Sequence, residues 1–216
     1  MKYVTMWTPD FKNPMRRLLT TAFDHDVDLY HKPIPKDRSW RAIVKMKPRF
    51  IFNCMNQFKK DAAIVWIDAD SMFIKNPGYF ASKAADLVYR PWVVNGVVEP
   101  IASVLYFKNT PQMRGFVGKW AKNTEALSPQ TQRPEQRSLC KLMWETVGVK
   151  KRQFAKNFIL PKWIGPQKNG HDVNVASIWT TRWYGHNVKK SEEHAYVEKR
   201  HRDEGIWTAE RWLYGV

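Results

Sequence analysis

The chain contains several short runs of β-branched and aromatic residues, each followed by turn-forming residues, and this pattern predicts β-strands. The predicted strands cover residues 3–7, 27–30, 63–67, 86–89, 103–107, 157–160 and 173–179. Apolar residues recur at helical spacing after Ser39, Pro48, Pro111 and Pro134, which predicts helices in these places. Ser39 is a suitable helix cap, and Pro48 is expected to start or kink a further helix. Strands and helices therefore alternate along much of the chain.

The most apolar strand covers residues 63–67, Ala-Ile-Val-Trp-Ile. It shows no alternation with polar residues, which is typical of a strand buried on both faces of a mostly parallel sheet. The whole pattern predicts an α/β fold with a mixed, mostly parallel sheet flanked by helices. A chain of 216 residues is short enough for one hydrophobic core, so we expect a single domain over residues 1–216. Residues from about 186 onward are polar and basic, and we expect them to form a C-terminal arm.

The composition is that of a globular protein, with 44% hydrophobic and 14% aromatic residues, and it argues against general disorder. No stretch approaches the roughly 20 apolar residues of a membrane span. The N-terminal residues lack the apolar core of a secretory signal, so a cytoplasmic location is expected. Cys54 and Cys140 are expected to be free buried thiols.

Two carboxylates follow the apolar strand, at Asp68 and Asp70. Because side chains alternate along an extended chain, both are expected on the same side, where a shared divalent cation would relieve their repulsion. Mn²⁺ or Mg²⁺ takes such oxygen ligands and accepts diphosphate oxygens as further ligands. The alternative is a pair of turn or capping aspartates. Ligands of open α/β sheets bind beyond the carboxyl ends of the strands, which favours the cation site.

Residues 66–77, Trp-Ile-Asp-Ala-Asp-Ser-Met-Phe-Ile-Lys-Asn-Pro, resemble the Asp-x-Asp segment of nucleotide-sugar glycosyltransferases with the GT-A fold. Residues 133–139, Arg-Pro-Glu-Gln-Arg-Ser-Leu, are similar to a helix start of that family whose acidic residue lies near the transferred sugar. The likeness extends over about residues 1 to 180. It implies sugar transfer from a nucleotide diphosphate sugar, in particular a UDP-sugar, to an acceptor.

The resemblance also implies roles for individual residues. Thr8 and Pro9 correspond to the loop that holds the nucleobase and ribose, and Lys45 is expected to extend toward the nucleotide. Asp68 and Asp70 would bind the metal ion. Glu135 is the candidate acid/base or sugar-orienting carboxylate, with Gln136 as its partner in binding sugar hydroxyls. The alternative for Glu135 is a residue that interacts favourably with the helix dipole in the first turn after Pro134.

A third metal ligand in this family is often a histidine near the C-terminus. The chain offers His171, His186 and His194. We favour His186 in the segment Trp-Tyr-Gly-His, and the alternative is a surface histidine.

The net charge of +16, from 36 Lys and Arg against 20 Asp and Glu, favours a polyanionic partner. In its small size and high charge the chain resembles phage-encoded glycosyltransferases that modify hydroxymethylated bases in DNA. A DNA base is therefore the expected acceptor, and the enzyme would flip it out of the duplex. The alternatives are transfer to a cell-surface polysaccharide, a lipopolysaccharide or a protein, and a non-enzymatic basic DNA-binding protein. The sequence makes no prediction of the oligomeric state.

Overall fold

The structure is a computed structural model, and it describes residues 1–37, 39–73, 76–77, 85–94, 97–154, 159–160 and 178–180. In this part of the chain the strands are β1 (Lys2–Trp7), β2 (Leu29–Pro33), β3 (Ala63–Ile67), β4 (Ser71–Phe73), β5 (Leu87–Val94), β6 (Val97–Lys108), β7 (Lys151–Gln153), β8 (Ile159–Leu160) and β9 (Ile178–Thr180). The α-helices are α1 (Lys12–Asp24), α2 (Trp40–Gln57), α3 (Pro111–Glu125) and α4 (Pro134–Glu145). A short 3₁₀ helix covers Pro9–Phe11.

Strand β3 lies inside a six-stranded sheet with the order β2-β1-β3-β6-β5-β7. Three pairings are parallel, namely β1 with β2, β1 with β3, and β5 with β7. Strand β6 is antiparallel to both of its neighbours, β3 and β5. The predicted fold class, a mixed and mostly parallel sheet flanked by helices, is confirmed.

The side chains of β3 are shared between two hydrophobic clusters, as the two-residue period of a strand requires. Ile64 and Trp66 belong to a cluster that includes residues of α2, α3 and α4. Ala63, Val65 and Ile67 belong to the other cluster, which includes residues of α1. All of β3 is buried, so its continuous apolar sequence reflects helices on both faces of the sheet.

Helix α2 runs without interruption from Trp40 to Gln57 and contains Pro48. The expectation that Pro48 starts a further helix is wrong. Proline removes one backbone hydrogen bond, to the carbonyl of Val44. Val44, Pro48 and Ile51 are all buried, and this burial supports the helix across the missing bond because helices in proteins gain most of their stability from packing.

Helix α1 is absent from the predicted elements, although its buried Met15, Leu18 and Ala22 recur at helical spacing. The second strand was predicted at residues 27–30, whereas β2 covers Leu29–Pro33 and pairs with β1 as far as Trp7 and Pro33. Strand β7 is also absent from the predicted elements. Tertiary pairing, which local pattern does not encode, fixes these boundaries.

A second sheet has the order β4-β9-β8. Strand β4 is joined to α1 by a hydrogen bond of 3.0 Å from the Phe73 amide to Thr21 Oγ1. The predicted C-terminal arm from about residue 186 lies outside the described residues. Within the described ranges, no helix has the length and apolar character needed to cross a bilayer.

Candidate active site

The candidate site begins where β3 ends, at Ile67. Asp68 and Asp70 do not continue the strand, because residues 68–71 form a turn closed by a 3.0 Å hydrogen bond from the Ser71 amide to the Asp68 carbonyl. The Asp68 amide donates to the Ser103 carbonyl of β6 at 2.9 Å. Strand alternation therefore does not relate the two carboxylates, and that part of the sequence argument is wrong. The turn nevertheless keeps both at the carboxyl edge of the sheet.

The carboxylate of Asp68 is held by two donors at the same oxygen. Lys47 Nζ and Trp66 Nε1 each lie 2.8 Å from Asp68 Oδ1. The second oxygen, Oδ2, has no hydrogen-bond partner among the described residues, and the side chain is 31% exposed. Hydrogen bonds therefore fix Asp68 Oδ1, whereas Oδ2 is available to a ligand.

Lys47 is a buried cation of α2, with 5% of its surface exposed. Besides Asp68, its ammonium donates to the Ala102 carbonyl at 3.1 Å and lies 3.9 Å from Glu135 Oε1. It also lies 5.0 Å from the centre of the Trp66 ring, within cation–π range. Burial lowers the pKa of the Lys47 ammonium, but nearby carboxylates, Asp68 first among them, outweigh that effect and raise it overall. Lys47 therefore stays charged and links the two acidic residues.

The predicted nucleotide ligand Lys45 lies elsewhere. Its ammonium donates to the carbonyls of Glu125 and Leu127, at 3.2 Å and 2.7 Å, at the end of α3. Two positions on a helix differ by about 200°, so Lys45 and Lys47 point in nearly opposite directions. A signal for Lys47 is present in the sequence, because Lys47 lies in the buried stripe of Val44 and Ile51.

Glu135 lies in the first turn of α4, a turn that a buried polar network attaches to α3. Trp120 Nε1 donates to the Glu135 carbonyl at 2.9 Å, and Ser138 Oγ donates to the Pro134 carbonyl at 2.8 Å. Ser138 Oγ is also 2.6 Å from Thr124 Oγ1. These contacts fix the backbone from which Glu135 extends toward Lys47.

The carboxyl group of Glu135 is buried and incompletely paired. Its residue exposure is 6%, and Oε2 has no hydrogen-bond partner among the residues that the structure describes. Burial raises the pKa of the Glu135 carboxyl, and the opposing attraction of the Lys47 ammonium does not cancel the effect. A buried acceptor without a partner is costly for stability, and such costs are concentrated at functional sites.

Gln136 is also buried, and its Nε2 donates to Glu99 Oε2 of β6 at 2.9 Å. Arg133 lies 3.4 Å from the same oxygen and has left-handed backbone angles, with a φ of 49°. Glu99 was not singled out from the sequence. Its role depends on the contact between β6 and α4, which no local pattern reveals.

Thr8 and Pro9 follow β1, which is parallel to β3, so they lie at the same edge of the sheet as Asp68. Thr8 is buried and its carbonyl accepts from the Phe11 amide at 2.8 Å. Pro9 is exposed. The predicted third metal ligand, His186, and the other two candidates, His171 and His194, lie outside the described residues.

The oxygen ligands at this edge fit a hard divalent cation in part. Asp68 Oδ2 and Asp70 supply carboxylate oxygens, and Mg²⁺ or Mn²⁺ commonly takes one or two protein carboxylates with water and phosphate oxygens as its other ligands. Within the ranges the structure describes, no group of three His, Cys, Asp or Glu side chains is arranged to hold a metal ion. A cation bound here would therefore need ligands from a substrate, from water or from another part of the chain.

No family model and no curated protein matches the sequence, but solved structures of similar fold exist. A glycosyltransferase involved in the glycosylation of the major capsid of PBCV-1 has a TM-score of 0.67 and 12% identity, over 92% of this chain and 98% of that one. The apo form of the glycosyltransferase GlyE from Streptococcus pneumoniae has a TM-score of 0.63 and 11% identity, over 98% and 62%.

The bifunctional glycosyltransferase WbbM, also in an apo structure, has a TM-score of 0.60 and 9% identity, over 96% of this chain and 50% of that one. The chain therefore spans nearly all of the viral protein but only 62% of GlyE and half of WbbM. At these identities the likeness concerns the fold alone. The chain has the fold of a glycosyltransferase.

Proposed function

We propose that this protein is a metal-dependent glycosyltransferase that moves a sugar from a nucleotide diphosphate sugar to an acceptor. The observation that carries the proposal is a group of charged side chains at the carboxyl edge of β3. Asp68 and Asp70 lie beside the buried Lys47, which also faces the incompletely paired Glu135. In an α/β sheet this edge is where ligands bind.

Asp68 and Asp70 are the proposed ligands of Mn²⁺ or Mg²⁺, with His186 as the third ligand. When bound, the cation would act as a Lewis acid that stabilises charge on the departing diphosphate. Lys47 and Trp66 hold Asp68 Oδ1, so that Oδ2 is the oxygen left for a ligand. We leave Lys45 out of the site, because carbonyls at the end of α3 accept from its ammonium.

Glu135 and Gln136 are the proposed contacts to the transferred sugar. Glu135 Oε2 is a buried acceptor that no group in the described part of the chain satisfies, and a sugar hydroxyl would supply the missing donor. Thr8 and Pro9 are the proposed contacts to the nucleobase and ribose of a UDP-sugar. Their place beyond β1, on the same edge as Asp68, supports this role.

The donor reaction can be tested without knowledge of the acceptor. Purified protein is incubated with Mn²⁺ and a set of nucleotide sugars, and release of nucleoside diphosphate is followed. We expect turnover of at least one UDP-sugar that stops when the cation is chelated. A protein that neither hydrolyses nor is thermally stabilised by any donor in the set would contradict sugar transfer and favour a non-enzymatic DNA-binding protein.

For the acceptor we propose a hydroxymethylated base in DNA. The net charge of +16 supports a polyanionic acceptor, because each phosphate that a Lys or Arg neutralises releases counterions. An acceptor protein is the second candidate, and it is favoured by the viral neighbour, which is involved in the glycosylation of a capsid.

The two acceptors differ in how they change donor turnover. Addition of duplex DNA containing hydroxymethylcytosine should accelerate nucleoside diphosphate release, and labelled sugar should appear in the DNA. The acceleration should decline steeply with salt. Turnover that DNA leaves unchanged would exclude the DNA acceptor while leaving sugar transfer intact.

A further inference from the structure

The carboxylate of Glu99 binds one donor on each side of the buried Glu135 in the sequence, Arg133 before it and Gln136 after it. Glu99 Oε2 accepts from Gln136 Nε2 at 2.9 Å and lies 3.4 Å from the Arg133 guanidinium. The Glu99 side chain is 17% exposed. Its strand, β6, runs antiparallel to β3, so residues that precede Ser103 extend beyond the end of β3, where the Ala102 carbonyl accepts from Lys47.

This contact determines which end of the Gln136 amide is available to a ligand. An ionised carboxylate only accepts hydrogen bonds, so the amide must turn its Nε2 toward Glu99. The oxygen Oε1 is then the free end of the amide, and it has no hydrogen-bond partner in the part of the chain that the structure describes. Gln136 therefore presents an acceptor one residue after Glu135, whose Oε2 is also unsatisfied among the described residues.

The backbone of the same turn is fixed independently by α3. Trp120 and Ser138 bind the carbonyls of Glu135 and Pro134, so the position of the Gln136 backbone does not depend on Glu99. What Glu99 controls is the orientation of the amide at the end of the side chain. A change at Glu99 should consequently act on ligand recognition more than on the fold.

We propose that Glu99 is a positioning residue that orients Gln136, so that Gln136 Oε1 and Glu135 Oε2 together accept hydrogen bonds from neighbouring hydroxyl groups of the donor sugar. The inference rests on the proposed sugar transfer and adds a substrate class to it. The transferred sugar carries free hydroxyls at the positions that face α4, and a sugar that lacks one of them leaves one of the two acceptors unpaired.

Glu99→Gln tests the proposal, because a glutamine at this position pairs with either end of the Gln136 amide. With UDP-glucose, or the UDP-sugar turned over fastest, we expect kcat/KM to fall about 10-fold, as for loss of one hydrogen bond. Wild-type protein should have a higher kcat/KM for the parent sugar than for one of its monodeoxy analogues. In Glu99→Gln the ratio of the two kcat/KM values should be about 10-fold smaller. A variant with the kinetic constants and the preference of the wild type would overturn the proposal.

A double variant distinguishes orientation from general damage to the site. Glu99→Gln with Gln136→Glu reverses the pair, keeps one carboxylate and one amide, and again turns an acceptor toward the sugar. We expect it to recover most of the lost kcat/KM, and failure to recover would contradict the proposal. Glu145→Gln, at the far end of α4 in an exposed pair with Lys141, is the matched control and should behave as wild type.

The amide itself gives a readout that does not depend on turnover. In wild-type protein the side-chain NH₂ signals of Gln136 in ¹⁵N NMR spectra should be shifted and protected from exchange, and Glu99→Gln should reduce both effects. If no nucleotide sugar were turned over, the proposed function would fail, while a protected amide would still support the positioning by Glu99. An unprotected Gln136 amide in the wild type would overturn the positioning in either case.

Discussion

Helix α2 contributes cations to two regions that differ in how completely their polar groups are paired. At the end of α3, Lys45 donates to two carbonyls, and Arg49 forms a bidentate salt bridge with Glu125 through hydrogen bonds of 2.9 Å and 2.8 Å. At the edge of the sheet, Lys47 lies between Asp68 and Glu135, and a buried oxygen of Glu135 has no partner within the described ranges. The first region is partly exposed, whereas Lys47 and Glu135 are buried.

The difference indicates what each region is for. Interactions such as those of Lys45 and Arg49 with the last turn of α3 favour a helix C-terminus, and their exposure makes each of them worth little. At the sheet edge, by contrast, the charged Lys47 and Glu135 are buried, which is costly, and Glu135 Oε2 is an unsatisfied acceptor among the described residues. Proteins retain such costly arrangements mainly where a ligand completes them.

Lys47→Met should have the largest effect on this contrast. The substitution removes the cation that lies beside Asp68 Oδ1 and the buried Glu135. Removal of one partner from a buried ionic contact costs about 3–5 kcal/mol of unfolding free energy. Urea denaturation measures the loss. The same experiment on Lys45→Met gives the reference. Equal losses of unfolding free energy in the two variants would show that the buried ionic contacts of Lys47 are no more important for stability than the contacts of Lys45.

Asp70→Asn should lower kcat by about 1000-fold, or about 4 kcal/mol, because the proposed cation would lose a ligand and with it the stabilisation of the departing diphosphate. The thermal midpoint should change little, since Asp70 is partly exposed. Donor turnover in Mn²⁺ and after chelation measures the effect. If the variant kept cation-dependent turnover, Asp70 would not be a metal ligand.

Glu135→Gln should separate activity from stability. Burial raises the pKa of Glu135, so its ionised form destabilises the fold at a pH above that raised pKa. Loss of the charge should increase the unfolding free energy by about 1 kcal/mol at neutral pH, while turnover falls by about 100-fold. Denaturation measures the unfolding free energy and donor kinetics measure turnover, both on the same sample. A decrease in unfolding free energy would contradict the conclusion that the buried Glu135 carboxylate destabilises the fold.

The pH dependence has a definite sign. Between the ordinary and the raised pKa of Glu135, the folded state binds a proton that the unfolded state releases, so this group's contribution makes stability fall as pH rises. Turnover that requires ionised Glu135 should rise over the same range. In Glu135→Gln the corresponding part of both pH profiles should be absent, with wild-type protein as the comparison.

Lys45→Met should have the smallest effect, about 1 kcal/mol of unfolding free energy, with donor kinetics unchanged. Glu125→Gln, which weakens the pair with Arg49 in the same region, should lose less still. A marked rise in the KM for the donor in Lys45→Met would contradict its structural role and restore it to the nucleotide site.

The parts of the fold that follow from sequence are those with strong local patterns. The apolar run of β3 and the helix starts at Ser39, Pro111 and Pro134 are found where they were predicted. The apolar spacing of α1 is a helix signal in the sequence, whereas Pro48 suggests a boundary that the burial of its neighbours overrides. Proline therefore marks a local penalty, and tertiary packing decides whether the helix ends.

The candidate site was less predictable, because its geometry depends on contacts between distant segments. The sequence pointed to Asp68, Asp70, Glu135 and Gln136, and the roles of these residues remain predictions. It pointed to Lys45 in place of Lys47, although helix phase distinguishes the two. Glu99 meets Gln136 across 37 positions of sequence, and only the packing of α4 on β6 brings them together.

Trp66 has a consequence for binding that concerns entropy. Its indole N–H, from within the buried strand, holds Asp68 Oδ1 through a contact of the folded chain itself. The torsional freedom of this carboxylate is therefore lost when the protein folds, and a ligand does not have to impose that loss again. Ordering one such side chain costs about 0.5–1.5 kcal/mol. In a Trp66→Phe variant, Lys47 alone would hold Oδ1, and part of this loss of freedom would move from the folding step to the binding step.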